Sequence, residues 1–253
     1  MINLSVVVLT KNEEENIGAC LESVAGWANE IVVVDDESTD KTVDIADRYT
    51  DKIVTRKMDI EGRHRNFAYA QAKNLWVLSL DADEIVSEEL KQEINAILKS
   101  HTDYAAFSIP LRNYIGNHWV RYGGWYPAGK VRLFRKDKFK YEEVKVHPRV
   151  FIDGECGHLT KDIIHKGYPD LAHFLDSLNR QTTWEAEKWL LQNRPMRFGR
   201  FLYRTLDRFI RTYIVKKGYK DGFIGFVVAF YAGLYQFMSY LKYRELTMKE
   251  KDA

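Results

Sequence analysis

The chain has 253 residues, of which 45% are hydrophobic, and a formal net charge of +2. This composition allows a sizeable core, and the length allows one large domain, or one domain with an appendage. Cys20 and Cys156 are far apart and lack a metal-like spacing. A reduced, cytosolic setting therefore fits this chain better than a disulfide framework does. No signal peptide is expected, because charged residues directly follow the apolar run at 4–9.

The first hundred residues alternate between short apolar runs and helical patterns. Strands are predicted at 4–10, 30–36, 52–56 and 75–81. Helices are predicted at 15–28, 39–49 and 62–73, and from Ser87 onward, where a hydroxyl and two acids suit a helix N-terminus. Alternating strands and helices with near-continuous apolar strands predict an α/β fold, with a mostly parallel sheet covered by helices.

Polar side chains follow three of these strands at their carboxyl ends. They are Thr10 to Glu13, then Asp35 to Glu37, and finally Asp81, Asp83 and Glu84. Ligands of open α/β sheets bind at this edge, so the three groups are expected to meet there. Buried unpaired charge is costly, so an acidic strand end must meet solvent or a cation. Two carboxylates two residues apart suit a hard divalent cation shared with phosphate groups.

The pattern changes after about residue 103. The stretches 104–116 and 129–139 are typical of antiparallel strands, and an aromatic loop lies between them. Trp119, Trp125 and Tyr126 flank two glycines in this loop. Aromatic faces pack well on sugar rings, so Trp125 and Tyr126 are candidates for contact with a sugar. The alternative is an aromatic core beneath the loop.

Four stretches resemble the inverting family 2 glycosyltransferases of GT-A fold: VVVLTKNEEENIGACLESV, EIVVVDDESTDKTVDIA, GRHRNFA and WVLSLDADE. The resemblance covers roughly residues 2–170 and is closest to the lipopolysaccharide-core β-glucosyltransferase branch, which GYKDGFIGFVVAFYAGLYQFMSYLKYRE also resembles. It implies transfer of a hexose, glucose being expected, from a nucleotide sugar, with a UDP-sugar as the expected donor. The implied acceptor is a lipid-linked or lipopolysaccharide-core glycan, and Trp125 and Tyr126 are the candidates for its binding site.

The resemblance also implies roles for individual residues. Glu13 and Asp36 would contact the nucleoside, and Arg65 would lie near the nucleotide. Thr10, Asn12 and Asp81 complete the expected nucleotide-sugar site. Asp81 and Asp83 match the DXD signature for Mn²⁺ or Mg²⁺, with Asp83 as the direct ligand and His165 completing the site. His165 could instead be a strand-end imidazole with a backbone partner.

The general base departs from the family pattern. An inverting transfer needs a carboxylate that takes the proton of the acceptor hydroxyl. The related branch often has an acid directly after a histidine, but Pro148 stands there in this chain. Glu143 and Glu142 are the nearest substitutes, and either could be a solvated strand charge. Asp153 or Glu155 would be next if neither acts.

The C-terminal part is predicted to be helical and membrane-associated, with a boundary between 1–168 and 169–253. Between Arg194 and Lys220, nine basic residues and one acidic residue give a formal charge of +8. Because the whole chain has a net charge of +2, the rest of it carries −6. Five arginines three or four apart form one helical stripe: Arg197, Arg200, Arg204, Arg208 and Arg211. Such a basic aromatic helix suits an anionic membrane surface, which is favoured over nucleic acid as the partner.

Residues 223–241 contain no charge and would form a helix of about 28 Å, near the minimum for a membrane span. A helix lying in the interface is favoured over a docked core helix or a full span. The expected location is the cytoplasmic face of the inner membrane. Two other functions stay open: a polyprenyl-phosphate sugar synthase, and a nucleotide-sugar-binding protein without turnover.

Overall fold

The structure is a computed structural model of the chain. It describes residues 3–100, 102–144, 148–192, 196 and 198–252, with side chains up to residue 249. The chain forms two compact units. The first unit comprises Met1–Leu111 and Gly129–Lys166, and the second comprises Arg112–Ala128 and Gly167–Ala253.

This division differs from the predicted boundary at 168, because the aromatic loop segment 112–128 belongs to the C-terminal unit. The physical reason is packing. Val120 is buried in one cluster with Phe174 and Val228 of the C-terminal helices, and Trp125 packs against it.

The N-terminal half of the first unit alternates strands and helices, as predicted. In chain order these are β1 (Leu4–Thr10), α1 (Ile17–Val24), β2 (Glu30–Asp35), α2 (Thr42–Ala46), β3 (Ile53–Thr55), α3 (Glu61–Ala70) and β4 (Trp76–Asp81). β1 pairs in parallel with β2 and β4, and β2 pairs in parallel with β3. The register sets Thr10 opposite Asp35, and Leu9 opposite Asp81. The carboxyl ends of β1, β2 and β4 therefore share one edge of the sheet.

Eight further strands and helix α4 are found in the described residues between β4 and residue 168. They are β5 (Glu84–Val86), α4 (Glu88–Lys99), β6 (Ala106–Ile115), β7 (His118–Trp119), β8 (Ala128–Arg135), β9 (Phe139–Tyr141), β10 (Val150–Ile152), β11 (Cys156–His158) and β12 (Ile163–Tyr168). The main sheet has the order β3-β2-β1-β4-β8-β6-β12-β5, with β8 antiparallel to β4 and β12 antiparallel to β5. The predicted fold class, a mostly parallel α/β sheet of GT-A type flanked by helices, is confirmed. Ser87 caps α4 as expected, because its hydroxyl accepts a hydrogen bond from the Leu90 amide.

β1 is buried along nearly its whole length because the sheet is covered on both faces there. Leu4, Val6 and Val8 of β1 belong to one buried cluster, whereas Val7 belongs to another with residues of α3. Alternate residues of a strand point to opposite faces, so β1 is buried on both sides.

The second unit is built on three helices: α5 (Leu171–Leu191), α6 (Phe198–Ile210) and α7 (Gly222–Asp252). A π-helical turn (Arg211–Val215) and a 3₁₀ turn (Gly218–Asp221) join α6 to α7. Asp221 accepts hydrogen bonds from the backbone amides of Arg121 and Tyr122, which ties the loop segment to this unit. α7 buries one face, including Val228 and Tyr240, and exposes apolar side chains on the other, including Phe223 and Phe230.

Candidate active site

Asp81, the last residue of β4, is held by two arginines. Its Oδ1 accepts hydrogen bonds from the guanidinium of Arg65 at 3.2 and 3.3 Å, and its Oδ2 accepts one from Arg132 at 2.6 Å. Burial alone would raise the pKa of Asp81, but the charges of Arg132 and Arg65 outweigh it and hold that pKa well below the ordinary value. Ionisation of Asp81 is therefore favoured, and its carboxylate accepts hydrogen bonds from two cations.

Arg132 is the residue of this site that the sequence analysis missed. It lies on β8, is 2% exposed, and also contacts the carboxylate of Glu84. The sequence did contain a signal for this residue, because Arg132 lies between Val131 and Leu133 within a predicted strand. A charged side chain in a covered strand must be paired, so an acidic partner was to be expected. Burial raises the pKa of Glu84, and Arg132 opposes that effect.

Asp83 has a different partner. Its Oδ2 lies 3.1 Å from Nε2 of His165, and both side chains remain about a fifth exposed. β12 brings His165 there by pairing antiparallel with β5, with His165 opposite Glu84. Burial would lower the pKa of His165, but the hydrogen bond and charge of Asp83 outweigh it, so the pKa lies above its ordinary value.

Of the three predicted metal ligands, Asp83 and His165 contact each other, whereas Asp81 contacts two arginines. Asp83 and His165 offer a carboxylate and an imidazole side by side, which suits Mn²⁺ or Mg²⁺ with substrate oxygens as further ligands. Asp81 instead has both oxygens engaged by arginines. Across the described part of the chain, no three His, Cys, Asp or Glu side chains form a group that could hold a metal.

The predicted nucleoside residues lie at the ends of β1 and β2. Asp36 accepts hydrogen bonds from Lys11 Nζ at 2.9 Å and from the Met58 amide at 2.7 Å. Asn12 accepts one from the Thr39 amide at 2.8 Å. Within the described residues, Thr10 Oγ1 and one carboxylate oxygen of Asp35 are buried without a hydrogen-bond partner. Unpaired buried polar atoms are uncommon, and these two are suited to a polar ligand at this edge.

Glu13, a predicted nucleoside-binding residue, is close enough to Asp81 and Asp83 for their charges to affect its pKa. Burial raises its pKa, and the nearby charges of Asp83 and Asp81 add to that rise, while the hydrogen bond from Asn16 opposes it. Glu13, which follows β1, thus interacts electrostatically with the acidic residues at the end of β4.

Both candidate bases lie beside α3. Glu143 accepts hydrogen bonds from Asn66 at 3.3 Å and from Arg63 at 3.2 Å, and these contacts lower its pKa. Glu142 is paired with Arg149 at 3.0 Å. Gly62 of α3 has no room for a side chain, because a Cβ would collide with the carbonyl oxygen of Glu142. His147 lies outside the described residues.

Comparison with known proteins decides the family. The sequence model described as glycosyl transferase family 2 matches residues 5–159, which is more than half of the chain. This chain belongs to glycosyl transferase family 2. It is therefore a glycosyltransferase, an enzyme that transfers a sugar.

Two curated relatives of this family 2 glycosyltransferase align along nearly its whole length. An uncharacterised glycosyltransferase of Rickettsia typhi is 28% identical over 266 residues, covering 100% of this chain and 90% of the relative. The lipopolysaccharide core biosynthesis glycosyltransferase LpsC of Rhizobium meliloti is 25% identical, covering 94% and 91%. The crystal structure of Staphylococcus aureus TarS residues 1–349 aligns with a TM-score of 0.48 and 15% identity, covering 99% and 92%.

The predicted acceptor residues of this glycosyltransferase lie in the second unit. Trp125 is half-buried and packs against Tyr168 and Phe174, with ring centroids 6.2 and 5.8 Å away. Tyr126 packs edge-to-face on Trp119 at 5.1 Å. Trp125 is thus part of the aromatic core under its loop, and an acceptor role for Trp125 and Tyr126 stays a prediction.

Proposed function

We propose that this glycosyltransferase transfers a hexose, glucose in the first instance, from a UDP-sugar to a lipopolysaccharide-core or other lipid-linked glycan, with inversion. The observation that carries the proposal is the sheet edge where Asp83 and His165 lie together beside an arginine-held Asp81. The similarity to LpsC, which is named for lipopolysaccharide core biosynthesis, supports the acceptor class.

Each residue of the edge has one task in this proposal. Asp36 and Glu13 bind the nucleoside, with Thr10 and Asn12 beside them. Arg65 lies near the nucleotide and orients Asp81. Asp83 and His165 hold a divalent cation, Mn²⁺ or Mg²⁺, which when bound neutralises negative charge on the leaving diphosphate.

Glu143 is the proposed base. It accepts the proton of the acceptor hydroxyl as that oxygen bonds to the anomeric carbon and the bond to the diphosphate breaks. The lowered pKa of Glu143 keeps the carboxylate ionised at neutral pH, which is the form a base needs, although it reduces the basicity.

The second unit is proposed to lie on the anionic cytoplasmic face of the inner membrane. Large apolar side chains on α6 and α7 are exposed, including Leu206 at 63% and Phe223 at 70%. Among the described residues, Gly218–Lys249 is long and apolar enough to cross a membrane by length and composition, and 44% of its apolar window is buried. A helix with one packed face and one apolar exposed face fits the membrane interface.

The donor site is tested with Asp83→Asn. We expect this variant to lose about 100-fold or more of the UDP released from UDP-glucose in the presence of Mn²⁺ and acceptor, because several kcal/mol of charge stabilisation are removed. Asp47→Asn, at an exposed position after α2, is the matched control and should keep full activity. Turnover by Asp83→Asn equal to that of the unaltered chain would reject the proposed site.

A further inference from the structure

The second unit contains a cavity of about 320 Å³ between α5, α6 and α7. Its wall is mostly apolar and aromatic, and includes Trp125, Tyr168, Phe174, Leu178, Val228 and Tyr231. Phe174, Leu178 and Val228 are buried. The volume is at the lower end of the range for ligand pockets, about 300–1,000 Å³.

The rim of the cavity differs from its wall because it is polar and carries one cation. Gln181 and Arg208 line the cavity and are exposed to solvent. Within the part of the chain that the structure describes, Arg208 makes no ion pair, whereas Arg211 on the next turn pairs with Asp207 at 2.8 Å. The rim thus offers a guanidinium that is available to an anion.

The cavity adjoins a helix that is proposed to contact the membrane. Arg208 belongs to the arginine stripe of α6, whereas Leu206 and Ile210 are 63% and 50% exposed on a different face of the same helix. The same helix therefore carries the cation at the cavity rim and exposed apolar side chains suited to a bilayer. A mostly apolar cavity with a cation at its rim matches the order of groups in an anionic lipid, in which a hydrocarbon chain adjoins a phosphate.

We infer that this cavity is a lipid site, which takes a hydrocarbon chain of an anionic membrane lipid while Arg208 binds the phosphate of that lipid. The inference rests on the proposed membrane location of the second unit and deepens it. A single bound lipid would fix the unit on the bilayer more specifically than charge attraction alone.

The test uses the full chain and monomeric dodecyl phosphate, below its micelle concentration and without nucleotide sugar. Calorimetry should give saturable binding, whereas inorganic phosphate and the uncharged dodecyl maltoside should each bind at least about 10-fold more weakly, since each lacks one half of the ligand. Arg208→Gln should weaken binding of dodecyl phosphate by about 10-fold, the scale of one charge-assisted hydrogen bond. Arg200→Gln, on the same stripe but away from the cavity, is the matched control.

A second and independent test is a variant in which a larger side chain fills the cavity. Ala232 lines the cavity, so Ala232→Trp should abolish binding of dodecyl phosphate. Ala172→Trp, at an exposed position of α5, should not. Because Arg208 is exposed, its variant folds even if Ala232→Trp does not.

Three outcomes would overturn the inference. The first is the absence of dodecyl phosphate binding, and the second is equal binding by the unaltered chain and Arg208→Gln. The third is glucosylation of dodecyl phosphate when UDP-glucose is added, because the lipid would then be the acceptor rather than an anchor. UDP-glucose turnover measured in parallel reports the donor site separately, so the loss of one function is distinguishable from the loss of the other.

Discussion

Asp81 and Asp83 are two residues apart, yet their side chains serve different partners. Asp81 receives hydrogen bonds from Arg65 and Arg132, while Asp83 lies against His165. Charges in a poorly solvated site are stable only when they are paired. The two arginines pair with Asp81, and among the described residues no arginine forms an ion pair with Asp83. The same short motif thus supplies one positioning carboxylate and one proposed metal ligand.

At this scale the base is the most direct prediction. Glu143→Gln keeps the shape of the side chain but cannot accept the proton, so we expect turnover to fall by about 100-fold or more with donor affinity nearly unchanged. Steady-state kinetics with varied UDP-glucose measure both quantities. Glu142→Gln, which alters the carboxylate paired with Arg149, is the control. Near-full activity in both variants would move the base to another carboxylate, with Asp153 and Glu155 next to be tested.

Among the elements, α6 has three faces with different chemistry. Phe201 is buried and stacks on Tyr240 of α7, with ring centroids 4.3 Å apart. Phe198, Leu202, Leu206 and Ile210 recur every four residues and are exposed. Arg200, Arg204 and Arg208 form the third face, and Arg197 lies outside the described residues. A helix with a packed, an apolar and a basic face is typical of one that lies on an anionic bilayer.

The basic face yields the prediction for this element. Replacing Arg200, Arg204, Arg208 and Arg211 by glutamine should weaken partition onto vesicles containing anionic lipid by about 100-fold or more, since each basic group contributes about 1 kcal/mol at the surface. Co-sedimentation with vesicles, at increasing salt, measures the partition. A control chain carries glutamine at four exposed lysines of the first unit: Lys41, Lys57, Lys140 and Lys161. Equal binding of the unaltered chain to neutral and anionic vesicles would contradict the electrostatic contribution.

At the scale of the whole molecule, the division into two compact units determines which part of the chain a ligand stabilises against unfolding. The donor residues lie in the first unit, and the arginine stripe and the cavity lie in the second. A ligand stabilises the folded state of the unit that binds it, by about 2.7 kcal/mol when present at about 100 times its dissociation constant.

Thermal unfolding with UDP and Mn²⁺ tests this expectation. We predict that the pair raises the midpoint by roughly 5–10 °C, as this free energy implies for a unit of this size. EDTA should remove most of the increase, and Asp83→Asn should reduce it. The same increase with UDP alone would mean that Asp83 and His165 bind the nucleotide without a metal. If the two units unfold separately, only the transition of the first unit should move.

The sequence by itself determined the alternation of strands and helices in the first hundred residues, the fold class and the polar edge of the sheet. These follow from local signals, because apolar periodicity, helix caps and strand ends depend on neighbouring residues. Ser87, for example, caps α4 where its hydroxyl and the following acids predicted a helix start. The glycosyltransferase family also followed from contiguous motifs within residues 5–159.

Only the tertiary structure decided which side chains meet across distant strands. Arg132 is 51 residues from Asp81 and contacts it because β8 pairs with β4, a pairing that no local pattern specifies. His165 reaches Asp83 in the same way, through the pairing of β12 with β5. The segment 112–128 joins the C-terminal helices because burial of Val120 and Trp125 depends on long-range packing. Hydrophobic burial is non-directional, so an apolar sequence shows that a residue is buried but not which partner buries it.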